Sequence, residues 1–216
     1  MEGCRRSLAK PVKKKEPVTV QDLKRVIQNT NMSELSAVRT AAMCLLSFAA
    51  FLRFDEMSKL NCSDVKLYED RMALKIRESK TNQYRQGDEV LVAATGTETC
   101  PVKIVRRYVE LDLSSQEPFF RGIVVTKRGQ ALRRHGRLSY TRSGELIREA
   151  LQKAGLDVQM YGLRSLRAGG ATAAANAGVP DRAFKKHGRW KSESAKDGYV
   201  KDSTEYRLSV SKKLGL

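Results

Sequence analysis

The chain has 216 residues, 41% of them hydrophobic, which is enough to bury a core as one large domain and excludes disorder of the whole. Its 41 Lys and Arg against 24 Asp and Glu give a formal net charge of +17, so the expected partner is a polyanion, nucleic acid ahead of an acidic membrane surface. No run approaches the roughly 18 to 20 apolar residues of a bilayer span, and the N-terminus lacks the apolar stretch of a signal peptide. The expectation is a soluble intracellular protein, nuclear in a eukaryotic host and otherwise cytoplasmic.

Residues 1–17 carry Lys10, Lys13, Lys14 and Lys15 between Pro11 and Pro17, a basic linker or tail that precedes a domain over residues 18–216. Thr19 and Asp22 form a capping box for a helix whose Leu23, Val26 and Ile27 share a face. Leu35, Val38, Ala42, Leu45, Leu46, Ala49 and Leu52 then give a broad apolar stripe, so this longer helix is expected to be central and to run up to Arg53. Asp55 is read as the cap of a short helix through Leu60, which puts Arg53 at a break between two helices.

Met72, Leu74 and Ile76 alternate with Arg71, Lys75 and Arg77, and Val90 with Val92 offers a second strand, predicting a small antiparallel sheet joined by a polar connection that carries Lys80. Pro101 opens a helix through Tyr108, residues 118–130 read as irregular with a short strand at 123–125, and Thr141 onward is helical with a stop at Gly155. A small-residue helix runs from Leu166 to Ala177, Pro180 starts another to Lys186, and a last pair of short helices is expected to hold Tyr199 and Leu208. Cys4, Cys44, Cys62 and Cys100 make no C-x-x-C pair and no cluster with histidine, so free, mostly buried thiols are expected rather than a zinc site or a disulfide frame.

Five segments in order carry a further signal. They are Phe51-Leu52-Arg53-Phe54-Asp55-Glu56, Ser79-Lys80-Thr81, the stretch from Arg164 through Arg167 to Pro180, Gly188-Arg189-Trp190, and Tyr199 nine residues after Trp190. In order and spacing they resemble the arginine, lysine, H-x-x-R, His-or-Trp and tyrosine boxes of the tyrosine recombinases, a phage-integrase-like family. The resemblance covers roughly residues 19–200; the run of small residues after Arg167 and the tryptophan of the fourth box point to its eukaryotic mobile-element or phage-like branch. It implies a mainly α catalytic domain with a small antiparallel β-sheet, separated from the N-terminal domain that in this family clasps the other face of DNA. It also implies site-specific breakage and rejoining of double-stranded DNA through a covalent 3′-phosphotyrosine, and self-association of several protomers on paired sites.

The residue types suit that chemistry. Attack on a phosphodiester places charge on two non-bridging oxygens, which two guanidinium forks neutralise and orient together. On the resemblance, Arg53 and Arg167 take that role, Tyr199 is the nucleophile, Lys80 protonates the departing 5′-oxygen, and Trp190 packs and hydrogen-bonds beside the phosphate. Glu56 is expected to buttress an arginine, and His187 to be a helix-end cation. No metal, nucleotide cofactor, small-molecule ligand or membrane partner is implied, because the arginines supply the positive charge. The sequence departs from the family at Arg164, where the H-x-x-R box has histidine, and arginine cannot exchange a proton near neutral pH. Two outcomes stay open: an enzyme in which Arg164 clamps the phosphate, or a domesticated module that binds DNA without efficient turnover. On the sequence alone, restoring histidine at 164 is expected to speed cleavage. A general RNA-binding role is disfavoured, since the chain has no RNA-recognition motif.

Overall fold

A computed structural model describes residues 15–77, 87–111, 117–127 and 129–213, with Val210 described by its backbone alone. Helix α1 (Val20–Gln28) starts as the sequence predicts: the Asp22 amide donates to Thr19 Oγ1 at 3.1 Å and the Thr19 amide donates to Asp22 Oδ2 at 2.9 Å. It buries Leu23, Val26 and Ile27 against the long helix α2 (Leu35–Ala49). Val38, Ala42, Leu45 and Leu46 share one buried face of α2, and Thr40, Ala41, Met43 and Cys44 on its other sides are buried too, so the helix forms the centre of the core, as expected. Burying each such side chain contributes about 1.5–3 kcal/mol.

After the short helix α3 (Phe54–Ser58), strands β1 (Val65–Leu67), β2 (Arg71–Ile76) and β3 (Asp88–Ala93) make an antiparallel sheet in that order. Met72 pairs with Val92 and Leu74 with Val90, so the apolar members of the alternation face the core together. Helix α4 (Pro101–Leu111) packs on α2, and a second sheet follows, the hairpin of β4 (Arg121–Thr126) and β5 (Gly129–Arg137). This corrects the expectation of an irregular stretch with one short strand. In β5 only Ala131 and Leu132 turn partly inward while Arg133 to Arg137 are exposed, so the strand has no apolar alternation to announce it.

Helix α5 (Tyr140–Lys153), capped by Ser139, leads to Gly155 at φ +77° and then to α6 (Leu163–Asn176). The small residues of α6 have a packing reason. A Cβ on Gly169 would lie 2.0 Å from the Val18 carbonyl oxygen, and one on Gly170 2.0 Å from that of Phe48. Helices α7 (Asp181–Gly188), α8 (Glu193–Asp197) and α9 (Thr204–Lys212) complete the chain. Tyr199 is not inside a helix, contrary to the sequence expectation, because α8 stops at Asp197 with Gly198 as its cap. Cys44 and Cys100 are buried and Cys62 half-buried, all free, and burial pushes the Cys44 thiol up to about 12; Cys4 lies outside the described residues. Among the described residues no group of three or more His, Cys, Asp or Glu could hold a metal ion, and no helix is long and apolar enough to cross a membrane.

Candidate active site

Two helix ends shape the site. Helix α2 terminates with Phe51 at φ +47°, where the Leu52 amide donates to the Ser47 carbonyl and the Phe51 amide to that of Phe48. Helix α7 ends the same way with Arg189 at φ +56°, the Trp190 amide reaching back to Lys185. Neither left-handed position holds glycine, so each carries backbone strain that the surroundings must offset. They offset each other. Arg189 donates from Nη1 to the Ala50 carbonyl at 3.2 Å and from Nη2 to that of Phe51 at 3.0 Å. Arg167, from α6, donates to the same Phe51 carbonyl and, at 2.8 Å, to that of Gly188.

The turn at Phe51 delivers Arg53 to the N-terminus of α3, where it rather than Asp55 is the cap residue. The reason is Glu56, whose Oε2 accepts from the Arg53 amide at 2.8 Å while Oε1 accepts from its guanidinium at 2.8 Å. Asp55 sits in the first turn, where a carboxylate suits the helix dipole. The buried Glu56 also pairs with Arg189 at 2.8 Å and Arg167 at 3.5 Å. Burial pushes its carboxyl up, but Arg189, the Arg53 amide and the two other guanidiniums pull it down further, leaving it below the ordinary carboxylate value. One carboxylate therefore serves three guanidiniums, and the cluster keeps an excess of positive charge suited to an anion.

Trp190 packs in a cluster with Phe51, Phe184 and Tyr199, its ring 5.0 Å from Phe184 and 5.8 Å from Tyr199. Gly188 must be glycine here, since a Cβ would lie 1.9 Å from the indole. The indole Nε1 is buried with no hydrogen-bond partner among the described residues. Over this floor the Tyr199 ring faces the guanidinium of Arg167 at 4.8 Å and that of Arg164 at 5.3 Å. Burial raises the Tyr199 pKa, but the charge of Arg167, a hydrogen bond and charge from Arg164, and the charge of Arg53 outweigh it, so the phenol ionises below its ordinary value.

Arg53, Arg164, Arg167, Trp190 and Tyr199 thus converge as the sequence predicts. Lys80 lies outside the described residues. Arg53 retains 21% side-chain exposure and Arg164 is exposed, whereas Arg167 is 1% exposed with both terminal nitrogens bound to carbonyls. Arg189 carries no signal in the sequence, because a cation at a helix end reads as solvent-facing and nothing in the hydrophobic pattern marks its burial. His187 is at the end of α7, where burial lowers its pKa and disfavours the cation expected there, and its Nε2 donates to the Ala49 carbonyl at 2.7 Å.

Beside the cluster, a hollow of about 220 Å³ lined by Glu56, Lys75, Arg77 and Arg137 adjoins a cleft of about 710 Å³, which Arg137 also lines. The cleft adds Arg39, Arg133, Arg142 and Lys153, with Glu34 and Glu149 as its acidic members.

The sequence profile of the phage integrase family matches residues 16–205. An integrase/recombinase xerD homolog from Selenomonas ruminantium is 24% identical over 208 residues, 96% of this chain and 60% of that protein, so the chain spans 60% of this relative's length. The structure of XerA recombinase aligns with a TM-score of 0.66 at 20% identity, over 95% of this chain and 66% of that one. XerH site-specific recombinase bound to a palindromic difH substrate, a post-cleavage complex, aligns with a TM-score of 0.67 at 15% identity, over 96% and 55%. These structures establish the fold as that of a tyrosine recombinase catalytic domain, mostly helical with small antiparallel sheets. With the profile running from α1 into α9 on that fold, the chain belongs to the phage integrase family.

Proposed function

We propose that this chain is the strand-cleaving and rejoining domain of a site-specific recombinase that acts on duplex DNA, with Tyr199 as nucleophile. The observation that carries the reading is the Tyr199 phenol, faced by two guanidiniums and drawn below its ordinary pKa, beside a cluster with spare positive charge. In the reaction the phenol oxygen loses its proton and bonds to phosphorus, the P–O5′ bond breaks, and the 5′-oxygen takes a proton, for which Lys80 is the proposed donor. The 3′-phosphotyrosyl bond keeps the energy of the broken strand, so the reverse attack rejoins it.

The guanidiniums divide the work differently from the pairing of Arg53 with Arg167. Arg53, partly exposed with Nη1 held by Glu56, and the exposed Arg164 clamp the non-bridging oxygens; Arg167, with its terminal nitrogens committed, holds the corner and supplies charge from beneath. The contact of Arg164 with the phenol supports the clamp over the decayed module. The arginine-lined cleft is the proposed path of the DNA backbone away from the cleaved phosphate.

Self-association on paired sites belongs to the same proposal. Helix α9 leaves Tyr206 58% and Leu208 48% exposed, which supports a contact of Leu208 with a neighbouring protomer. The palindromic substrate of XerH supports a symmetric pair, since a palindrome offers two equivalent half-sites. The small residues after Arg167 and Trp190 support assignment to the mobile-element or phage-like branch.

A nicked suicide duplex tests the reading. Wild type is expected to give a protein–DNA band that survives denaturing electrophoresis, and Tyr199→Phe to bind the duplex without giving it. Binding by wild type without the band would overturn catalysis in favour of a DNA-binding module.

A further inference from the structure

The chain from Tyr199 to Ser203 has no regular secondary structure, yet it lies in register along one stripe of α6. Arg164, Ala168, Thr172 and Asn176 recur at four-residue spacing, so they share a helix face. The Arg164 guanidinium lies over the Tyr199 ring, 5.3 Å from its centroid. Two turns further on, the Thr172 hydroxyl donates to the Tyr199 carbonyl at 3.4 Å and accepts from the Lys201 amide at 3.0 Å. One more turn on, Asn176 Oδ1 accepts from the Ser203 amide at 3.4 Å. The spacing is physically consistent: four helical residues advance about 6 Å, and two extended residues about 6.6 Å.

We propose that Thr172 is a positioning residue for the nucleophile, its hydroxyl binding the Tyr199 carbonyl and the Lys201 amide just after it and thereby fixing the phenol against Arg164 and Arg167. The inference rests on the reading of Tyr199 as nucleophile, and it explains how one helix both carries the guanidiniums and sets the distance to the attacking group. Beside this contact, the Tyr199 ring packs on Trp190 and the Tyr199 amide donates to the Lys196 carbonyl at 3.0 Å. Helix α8, which precedes Tyr199, buries no residue, and it is tied to α7 by ion pairs of Lys196 with Asp181 at 2.6 Å and of Lys185 with Glu193. Such exposed pairs are screened by salt and permit sliding. The Val200 side chain packs on the Trp190 cluster, which holds the segment down without fixing its register.

Thr172→Val keeps the branched shape and helix propensity and removes only the hydroxyl; Thr172→Ser keeps the hydroxyl. Single-turnover formation of the covalent complex on a nicked duplex is expected to fall by about tenfold to a hundredfold in the Val variant, since small misplacements of a reacting group cost that much. Duplex affinity should stay within about twofold, and Ser should restore most of the rate. A second measurement does not depend on cleavage. In a pH titration of tyrosine-Cζ-labelled protein by NMR, with the Tyr199 signal identified by its loss in Tyr199→Phe, the Val variant should move the midpoint up towards the ordinary value near 10. Asn176→Ala, at an exposed position, should move it less and in the same direction. An unchanged rate and midpoint in Thr172→Val, or a Ser variant as slow as Val, would overturn the proposal. No covalent complex from wild type, with the midpoint still raised by Val, would sink the nucleophile reading and leave the positioning contact standing.

Discussion

The Tyr199 phenol sits under two opposed influences, burial that disfavours the phenolate and guanidinium charge from Arg167, Arg164 and Arg53 that favours it and prevails. Cleavage rate should therefore rise with pH through a midpoint below the ordinary tyrosine value near 10 and then level off. At Arg164 the proposed clamp leads to the opposite prediction from the one drawn from the sequence. A histidine is neutral above roughly pH 6.5, so Arg164→His removes the cation that bonds the hydroxyl, raises the phenol midpoint and slows cleavage by about a hundredfold between pH 7 and 9. Single-turnover rates across that range check this, and a His variant as fast as wild type would contradict it. Glu56 gives a stability counterpart. Its folded pKa is depressed, so its contribution is fully present above the unfolded value near 4.3 and is lost as pH falls through the folded one. Glu56→Gln should cost about 3–5 kcal/mol in urea unfolding at pH 7, because it strands buried guanidiniums. The deficit should narrow at pH 3, and an equal deficit at both pH values would show that the carboxylate charge is not the agent.

Helix α6 fixes the site because it lies so close to α2. Gly170→Ala places a methyl 2.0 Å from the Phe48 carbonyl oxygen and 2.8 Å from the Phe51 ring, so the helices must separate at the corner that Arg167 holds. A loss of about 1–3 kcal/mol or more in urea unfolding is expected, with a fall in cleavage beyond the unfolded fraction. A variant as stable and active as wild type would show that α6 has room there. What the sequence revealed at this scale follows from what side chains encode. Periodicity exposed α1, α2 and the β2–β3 pair because each carries an apolar stripe against the core, and box spacing singled out Arg53, Arg164, Arg167, Trp190 and Tyr199, which the fold brings together. Strand β5 stayed hidden because its arginines face solvent. The roles of Arg189 and Thr172 stayed hidden because their partners are backbone carbonyls and amides, at the left-handed turn of Phe51 and along residues 199–201, which no side-chain pattern announces.

Over the whole molecule, the proposed DNA partner suits a net charge of +17 and a cleft lined by Arg39, Arg133, Arg137, Arg142 and Lys153. Neutralising about six phosphates should give a log–log slope of affinity on salt near −5. A fluorescence titration that found affinity flat with salt would rule this out. The central claim is more specific than binding, because it assigns the covalent bond to one oxygen atom. The covalent complex formed on a nicked duplex, treated with nuclease and then trypsin, locates that bond by mass spectrometry. Tyr199 lies in the peptide of residues 197–201 and Tyr206 in that of residues 202–207, so the two are resolved. The account predicts the residual nucleotide on the 197–201 peptide alone, and a nucleotide on the 202–207 peptide, or on any other, would contradict it.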